Sequence, residues 1–178
     1  MQPKVLENFI DYDDCKLAIE YLNKKQEKNK LLNSEMDNRL FEWNPKSNEC
    51  LYLIKKYSTK IFDVYNLDYN LYTHVAFLVK YDVGAFAPLH SDIMDEKCTE
   101  DKLSLVLYFN DDYVGGDIYF PKLEKQYHPS KGTALAYEAD NANFDHGVNK
   151  IEEGAKYILA FCFTKNKNLS QKEYLWLT

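Results

Sequence analysis

Leu103-Ser104-Leu105-Val106-Leu107-Tyr108-Phe109-Asn110-Asp111 decides the fold of this chain. Leu103, Leu105, Leu107 and Phe109 alternate with Ser104, Val106 and Tyr108, the two-residue period of a β-strand, and the stretch stops at Asn110-Asp111, residues that favour turns. The same period recurs upstream, where Val75, Phe77 and Val79 alternate with Ala76, Leu78 and Lys80. Downstream, Ile118-Tyr119-Phe120, Thr133 to Tyr137 and Tyr157 to Thr164 supply further short strands. Between them lie Asp82-Val83-Gly84, Gly115-Gly116 and Ser130-Lys131-Gly132, all turn chemistry. Short strands separated by such turns predict a β-sandwich or barrel from about residue 71 onward.

Before residue 71 the period is helical. Cys15, Ala18, Ile19 and Leu22 form an i, i+3, i+4, i+7 stripe over Asp13 to Asn29, with Asp13 or Asp14 available to cap it and lysines toward its C-terminal end. Asn33 to Lys46 reads as a loop or a short irregular strand carrying Leu40, Phe41 and Trp43. A second helix is expected after Ser47 to about Asn66, since Leu51, Ile54, Ser58, Ile61 and Tyr65 share a face.

The expected organisation is one domain over residues 1–178: helical support over 1–70, a strand-rich core over 71–165 and a C-terminal tail over 166–178. A length of 178 residues suits one well-buried core. With 22 basic against 28 acidic residues the net charge is −6, which disfavours nucleic-acid backbones as partners. Cys15, Cys50, Cys98 and Cys162 form no Cys-x-x-Cys pair, so free thiols are expected rather than a zinc ribbon or redox motif. Met1 to Asp14 holds no apolar run of signal-peptide length, and no run is long enough to span a membrane. The expected compartment is therefore the cytosol, with no membrane partner.

The chemistry-bearing residues are His90, Asp92 and His146. In a strand, residues i and i+2 face the same side, so His90 and Asp92 in His90-Ser91-Asp92 can reach one ion from a strand or its end. His146, in Phe144-Asp145-His146-Gly147-Val148, can face them across a barrel, whereas Asp145 alternates away. Two imidazoles and one carboxylate suit non-haem Fe(II) with open positions. A lone His-x-Asp arises often by chance, and its surroundings give this one its meaning. Lys156 places a charge in the otherwise apolar run Gly154 to Leu159; buried, it needs a partner, and at a strand edge it can simply face water. Asp117 can orient a substrate or begin a solvated strand. His74 and His128 stand apart from the motif and read as surface or packed residues.

From Val75 to Phe163 the sequence resembles the prolyl 4-hydroxylase-like branch of the Fe(II)/2-oxoglutarate-dependent dioxygenases. The matching elements, in order, are Tyr81-Asp82-Val83-Gly84, His90-Ser91-Asp92, the strand ending Phe109-Asn110-Asp111, Gly115-Gly116-Asp117 with Phe120, and His146 followed by Gly154 and Lys156. Two departures concern substrate-side positions: His146-Gly147-Val148-Asn149-Lys150-Ile151 lacks the usual proline, and Cys162-Phe163 replaces a common tryptophan.

The resemblance implies a mainly β fold with flanking helices: a double-stranded β-helix, the cupin-like jelly roll, buttressed by the N-terminal helices. It implies Fe(II) held by His90, Asp92 and His146, with 2-oxoglutarate and O₂ as co-substrates and ascorbate as a possible auxiliary. It also implies that Lys156 binds the distal carboxylate of 2-oxoglutarate, with a hydroxyl contact from Tyr81. Asp92 favours hydroxylation over halogenation, because halogenating relatives lack the carboxylate. The expected reaction is hydroxylation of prolyl residues in a peptide or protein; the alternatives are a free amino acid or other small molecule as substrate, or a non-catalytic jelly-roll binding module. The acidic stretch Ile93 to Asp101, beside the metal pair, reads as a flap or as a solvated loop.

Overall fold

The computed structural model of the chain describes residues 2–29, 38–65, 71–93 and 100–170. In chain order the elements are β1 (Lys4–Leu6), α1 (Tyr12–Asn29), β2 (Arg39–Trp43), α2 (Asn48–Tyr65), β3 (Tyr72–Tyr81), β4 (Ala87–His90), β5 (Asp101–Tyr108), β6 (Val114–Gly115), β7 (Ile118–Phe120), β8 (Lys125–Tyr127), β9 (Ala134–Glu138), β10 (His146–Val148), β11 (Ile151–Glu153) and β12 (Lys156–Thr164). A six-stranded sheet of order β1-β9-β5-β12-β3-β2 faces a four-stranded sheet of order β4-β10-β7-β8, and β11 pairs with β6 in a small third ribbon. All the pairings are antiparallel. This is the jelly-roll core that the family resemblance implied, where the alternating strands alone predicted a sandwich or barrel.

Two apolar clusters follow from the alternation along the strands. Leu78, Leu103, Leu105, Leu107, Leu159 and Phe161 turn to one side of the large sheet and pack with Cys15, Ala18, Leu22, Ile54 and Ile61 of the helices. Val79, Val106, Tyr108, Ile158 and Ala160 turn to the other side, toward Ile118, Phe120 and Val148 of the small sheet. The helices therefore cover the outer face of the large sheet, and its inner face is left for the site.

Several local expectations are revised. α1 begins at Tyr12, so Asp13 and Asp14 lie within its first turn rather than capping it. Asp14 is buried and accepts hydrogen bonds from Tyr57 (2.5 Å) and Lys56 (2.6 Å), tying α1 to α2. Leu40, Phe41 and Trp43 belong to a regular strand that extends the large sheet, because β3 offers them a paired edge. Asp101 is not part of an acidic surface loop: it opens β5, is 1% exposed, and its carboxylate meets His74 Nδ1 at 2.9 Å. Residues 94–99 of the expected flap, residues 171–178 of the expected tail, and Cys98 lie outside the described residues. Cys15, Cys50 and Cys162 are buried and in no disulfide. Burial pushes Cys15 and Cys50 up to about 11, which keeps both protonated at neutral pH. Among the described residues no helix is long and apolar enough to cross a membrane.

Candidate metal centre

β4 and β10 are paired so that His90 and His146 stand opposite each other, with ring centroids 4.4 Å apart. Each imidazole turns Nδ1 back along its own chain: His90 Nδ1 donates to the Pro88 carbonyl at 2.8 Å, and His146 Nδ1 donates to the Phe144 carbonyl at 3.0 Å. Fixing the Nδ1 proton in this way leaves Nε2 of each ring as the lone-pair donor, the arrangement that orients metal-binding histidines. Burial pushes the His146 imidazole below its ordinary pKa, against the opposing pull of Asp92, and so favours the neutral form that a ligand requires.

Asp92 lies two residues beyond the end of β4, so of the two placements open to the pair it takes the strand end. Asp92 Oδ2 accepts from Ser104 Oγ on β5 at 2.5 Å, which turns Oδ1 toward the rings, 3.9 Å from His90 Nε2 and 4.0 Å from His146 Nε2. One donor atom from each of His90, Asp92 and His146 lies within 4.8 Å of the others. Two imidazoles and an anchored carboxylate on one side of a pocket fit an open-site divalent iron.

Strand register explains what else surrounds this set. On the inner face, Tyr81 of β3 is paired with Lys156 of β12, Ile158 with Tyr108 of β5, Ala160 with both Phe77 and Val106, and Ser104 with Tyr137 of β9. Strand partners share a face, so all these side chains converge with the metal-binding set on one pocket. Lys156 is 1% exposed and its ammonium donates to the Gly116 carbonyl at 2.6 Å. Tyr81, Tyr108 and Tyr113 surround it, with their ring centroids 5.6, 5.1 and 5.8 Å from Nζ. Burial pushes its pKa down to about 7, the charge of Asp117 opposing only in part. Lys156 forms no ion pair within 4 Å among the described residues, although a buried ammonium is costly without an anion. The buried placement, not the solvent-facing strand edge, is the one that holds. A carboxylate entering the pocket would supply the missing partner, so the residues present fit a dicarboxylic co-substrate anchored at Lys156.

Asp117 lies outside the pocket lining, where its carboxylate accepts from His128 Nδ1 (2.6 Å) and Gln126 Nε2 (2.5 Å). Asn110, part of the motif that ends β5, staples the start of β12: its amide donates to the Ala155 carbonyl and its side-chain oxygen accepts from Tyr157 N, immediately either side of Lys156. Sequence reasoning did not single out Ser104, Phe77 or Tyr137. The period of β5 could have placed Ser104 on the face of Tyr108, but nothing in it indicated that this face holds Asp92.

From the pocket the inner face of the large sheet continues outward. Phe77, which lines the pocket, stacks on Trp43 (centroids 5.4 Å, planes 1° apart) and on Phe41 (5.0 Å, 21°) of β2. Phe41 is 43% exposed and Trp43 47% exposed.

Comparison with known proteins agrees with this geometry. Residues 76–164 match the sequence profile of the 2OG-Fe(II) oxygenase superfamily. Prolyl 3-hydroxylase 1 of Gallus gallus is 31% identical over 75 residues, which is 39% of this chain and 10% of that protein, so the match spans about a tenth of the relative's length. Among solved structures, a viral collagen prolyl hydroxylase from Paramecium Bursaria Chlorella virus-1 superposes with a TM-score of 0.73 at 19% identity, covering 94% of this chain and 97% of that one. A Pseudomonas putida prolyl-4-hydroxylase gives 0.70 at 16% identity, with 92% of each chain covered. A Trichoplax adhaerens prolyl hydroxylase, solved with a hypoxia inducible factor peptide fragment, gives 0.69 at 14% identity, with 96% and 87% covered. At these identities the structures establish a shared fold, and the profile match establishes the lineage: the chain belongs to the 2OG-Fe(II) oxygenase superfamily.

Proposed function

We propose that this protein is an Fe(II)- and 2-oxoglutarate-dependent dioxygenase that hydroxylates prolyl residues in a peptide or protein. The observation that carries this reading is the meeting, in one pocket, of the His90, Asp92 and His146 donor set with the buried Lys156 ammonium, which has no ion-pair partner among the described residues. Iron and 2-oxoglutarate supply the oxidising power when bound, coupling decarboxylation of the oxo acid to succinate and CO₂ with transfer of one oxygen atom of O₂ to a C–H bond.

The chain's own task is to bind, orient and exclude water. His90, Asp92 and His146 hold the metal from one side, and Ser104 keeps the Asp92 carboxylate turned toward it. Lys156 binds the distal carboxylate of the oxo acid by a charge-assisted hydrogen bond, with Tyr81, its in-register neighbour, as the second contact. Val106, Ile158 and Ala160 give the pocket apolar walls that keep bulk water away. Ascorbate would be the auxiliary reductant of such a centre.

The stacked Phe77, Trp43 and Phe41 support a peptide over a free amino acid. They continue the pocket wall onto an exposed aromatic face, of the kind on which proline rings of an extended chain pack. A free amino acid would leave this face unused. A neighbour of the same fold, the Trichoplax adhaerens prolyl hydroxylase, is solved in complex with a hypoxia inducible factor peptide fragment, which supports the same reading.

The test is succinate release under Fe(II), 2-oxoglutarate and O₂ with a panel of proline-containing peptides beside a panel of free amino acids, with products weighed by mass spectrometry. Stimulated succinate and a one-oxygen gain on peptides are expected. Oxygen gain confined to free amino acids would transfer the assignment to a small-molecule hydroxylase. No succinate with either panel, despite bound iron and oxo acid, would leave a binding module.

A further inference from the structure

Tyr137 stands in the metal centre without having been signalled by any motif. It is buried on β9 and lines the pocket, and its hydroxyl lies 3.2 Å from His146 Nε2, the nitrogen aimed at the metal. Its ring is T-shaped against that of His146, centroids 5.1 Å apart. Neighbouring donors about 2.1 Å from one ion and at right angles to each other are about 3 Å apart. By that measure the Tyr137 oxygen sits at ligand-to-ligand distance from His146 Nε2, closer to it than Asp92 Oδ1 at 4.0 Å.

We propose that Tyr137 is a fourth protein donor of this centre, its phenolate oxygen binding a ferric ion beside His146 and Asp92. Phenolate is a hard oxygen ligand suited to ferric iron, as tyrosine ligation of haem iron illustrates. Binding releases the phenolic proton to solvent as the iron–oxygen bond forms, and the iron keeps its oxidation state. Four protein donors leave two open positions instead of three, so Tyr137 belongs to the resting ferric centre and competes with incoming co-substrates. The inference rests on the iron assignment above but not on any turnover.

The experiment loads the full chain anaerobically with one equivalent of Fe(II), admits O₂ without 2-oxoglutarate as the oxidant that takes the iron to the ferric state, and records the visible and resonance Raman spectra. A phenolate-to-iron charge-transfer band with tyrosine ring modes is expected, at unchanged intact mass. Tyr137→Phe should lose it, while Tyr81→Phe and Tyr108→Phe, which alter the other pocket tyrosines, should keep it. Ring-deuterated tyrosine should shift the Raman modes of the unaltered protein, which keeps the assignment testable if Tyr137→Phe binds iron poorly. A colourless ferric protein, or a full band in Tyr137→Phe, overturns the proposal. A mass gain of one oxygen does so too, because the colour would then come from an oxidised ring. The outcomes separate from those for hydroxylation: a coloured protein that releases no succinate keeps the fourth donor and sinks the enzyme reading, and a colourless one that hydroxylates peptide does the reverse.

Discussion

His90 and His146 are cross-strand partners that use the same local device: each donates Nδ1–H to the carbonyl two residues before it, so both Nε2 atoms turn into the same pocket. Pairing sets their separation and the backbone sets their tautomer. Asp92, beyond the strand end, is turned by a side chain instead, the Ser104 hydroxyl.

Alanine at His90, Asp92 or His146 should therefore abolish iron retention and turnover while leaving the fold, since each removes a donor at the pocket and no apolar packing of the outer core. Metal content by mass spectrometry, set against thermal melting, checks this. Near-normal iron-dependent turnover in any one variant would remove that residue from the ligand set.

Ser104→Ala should be milder. It keeps all donors and loses only the hydrogen bond that orients Asp92, a type of change that typically weakens metal affinity or activity about 10- to 100-fold. Competition titration with a chelator measures it. An affinity equal to that of the unaltered protein would mean the carboxylate orients itself.

Lys156→Ala should raise the 2-oxoglutarate concentration required, with little change in Fe(II) affinity. A charge-assisted hydrogen bond is worth roughly 1.5–3 kcal/mol, or on the order of a ten- to hundredfold rise. Co-substrate dependence unaffected by the change would place the anchor elsewhere.

The depressed pKa of Lys156, about 7, adds a pH signature. At pH 8 most of the free protein carries neutral Lys156, and a bound carboxylate needs the ammonium, so binding should take up a proton and weaken as pH rises through 7. Calorimetry in buffers of different ionisation enthalpy reads the uptake directly, and Lys156→Arg should eliminate it. The sign for stability is the opposite. The folded state disfavours the proton that the unfolded chain holds up to about 10.5, so this residue's destabilising effect is complete below pH 7 and is relieved as pH rises toward that value. Melting that shows no such relief relative to Lys156→Met would contradict the shift.

Trp43→Ala and Phe41→Ala should raise the KM for a proline-rich peptide several-fold and leave uncoupled 2-oxoglutarate consumption unchanged, because both rings adjoin the pocket through Phe77 without touching the ligand set. Steady-state kinetics on peptides of increasing length decides it. Equal KM values for altered and unaltered protein would show that the substrate leaves the pocket by another path.

The sequence by itself determined the β-rich core and both helices, and it offered His90, Asp92 and His146, and through the family resemblance Lys156, as the candidate site residues. The elements follow from local regularities: a two-residue period marks a strand, a 3.6-residue period marks a helix, and residues two apart at a strand end share a side. Tertiary structure decided what no local pattern encodes. Ser104 and Tyr137 looked like ordinary members of apolar strands until pairing set them side by side beneath Asp92 and His146. Asp117 read as a substrate contact or as a solvated strand start, and only the folded chain brings its carboxylate to His128 and Gln126. Lys156 could have faced water, and its burial depends on β12 lying between β3 and β5 in the large sheet. Strand order and register are fixed by how two whole faces bury each other, a property of the closed jelly roll rather than of any stretch within it.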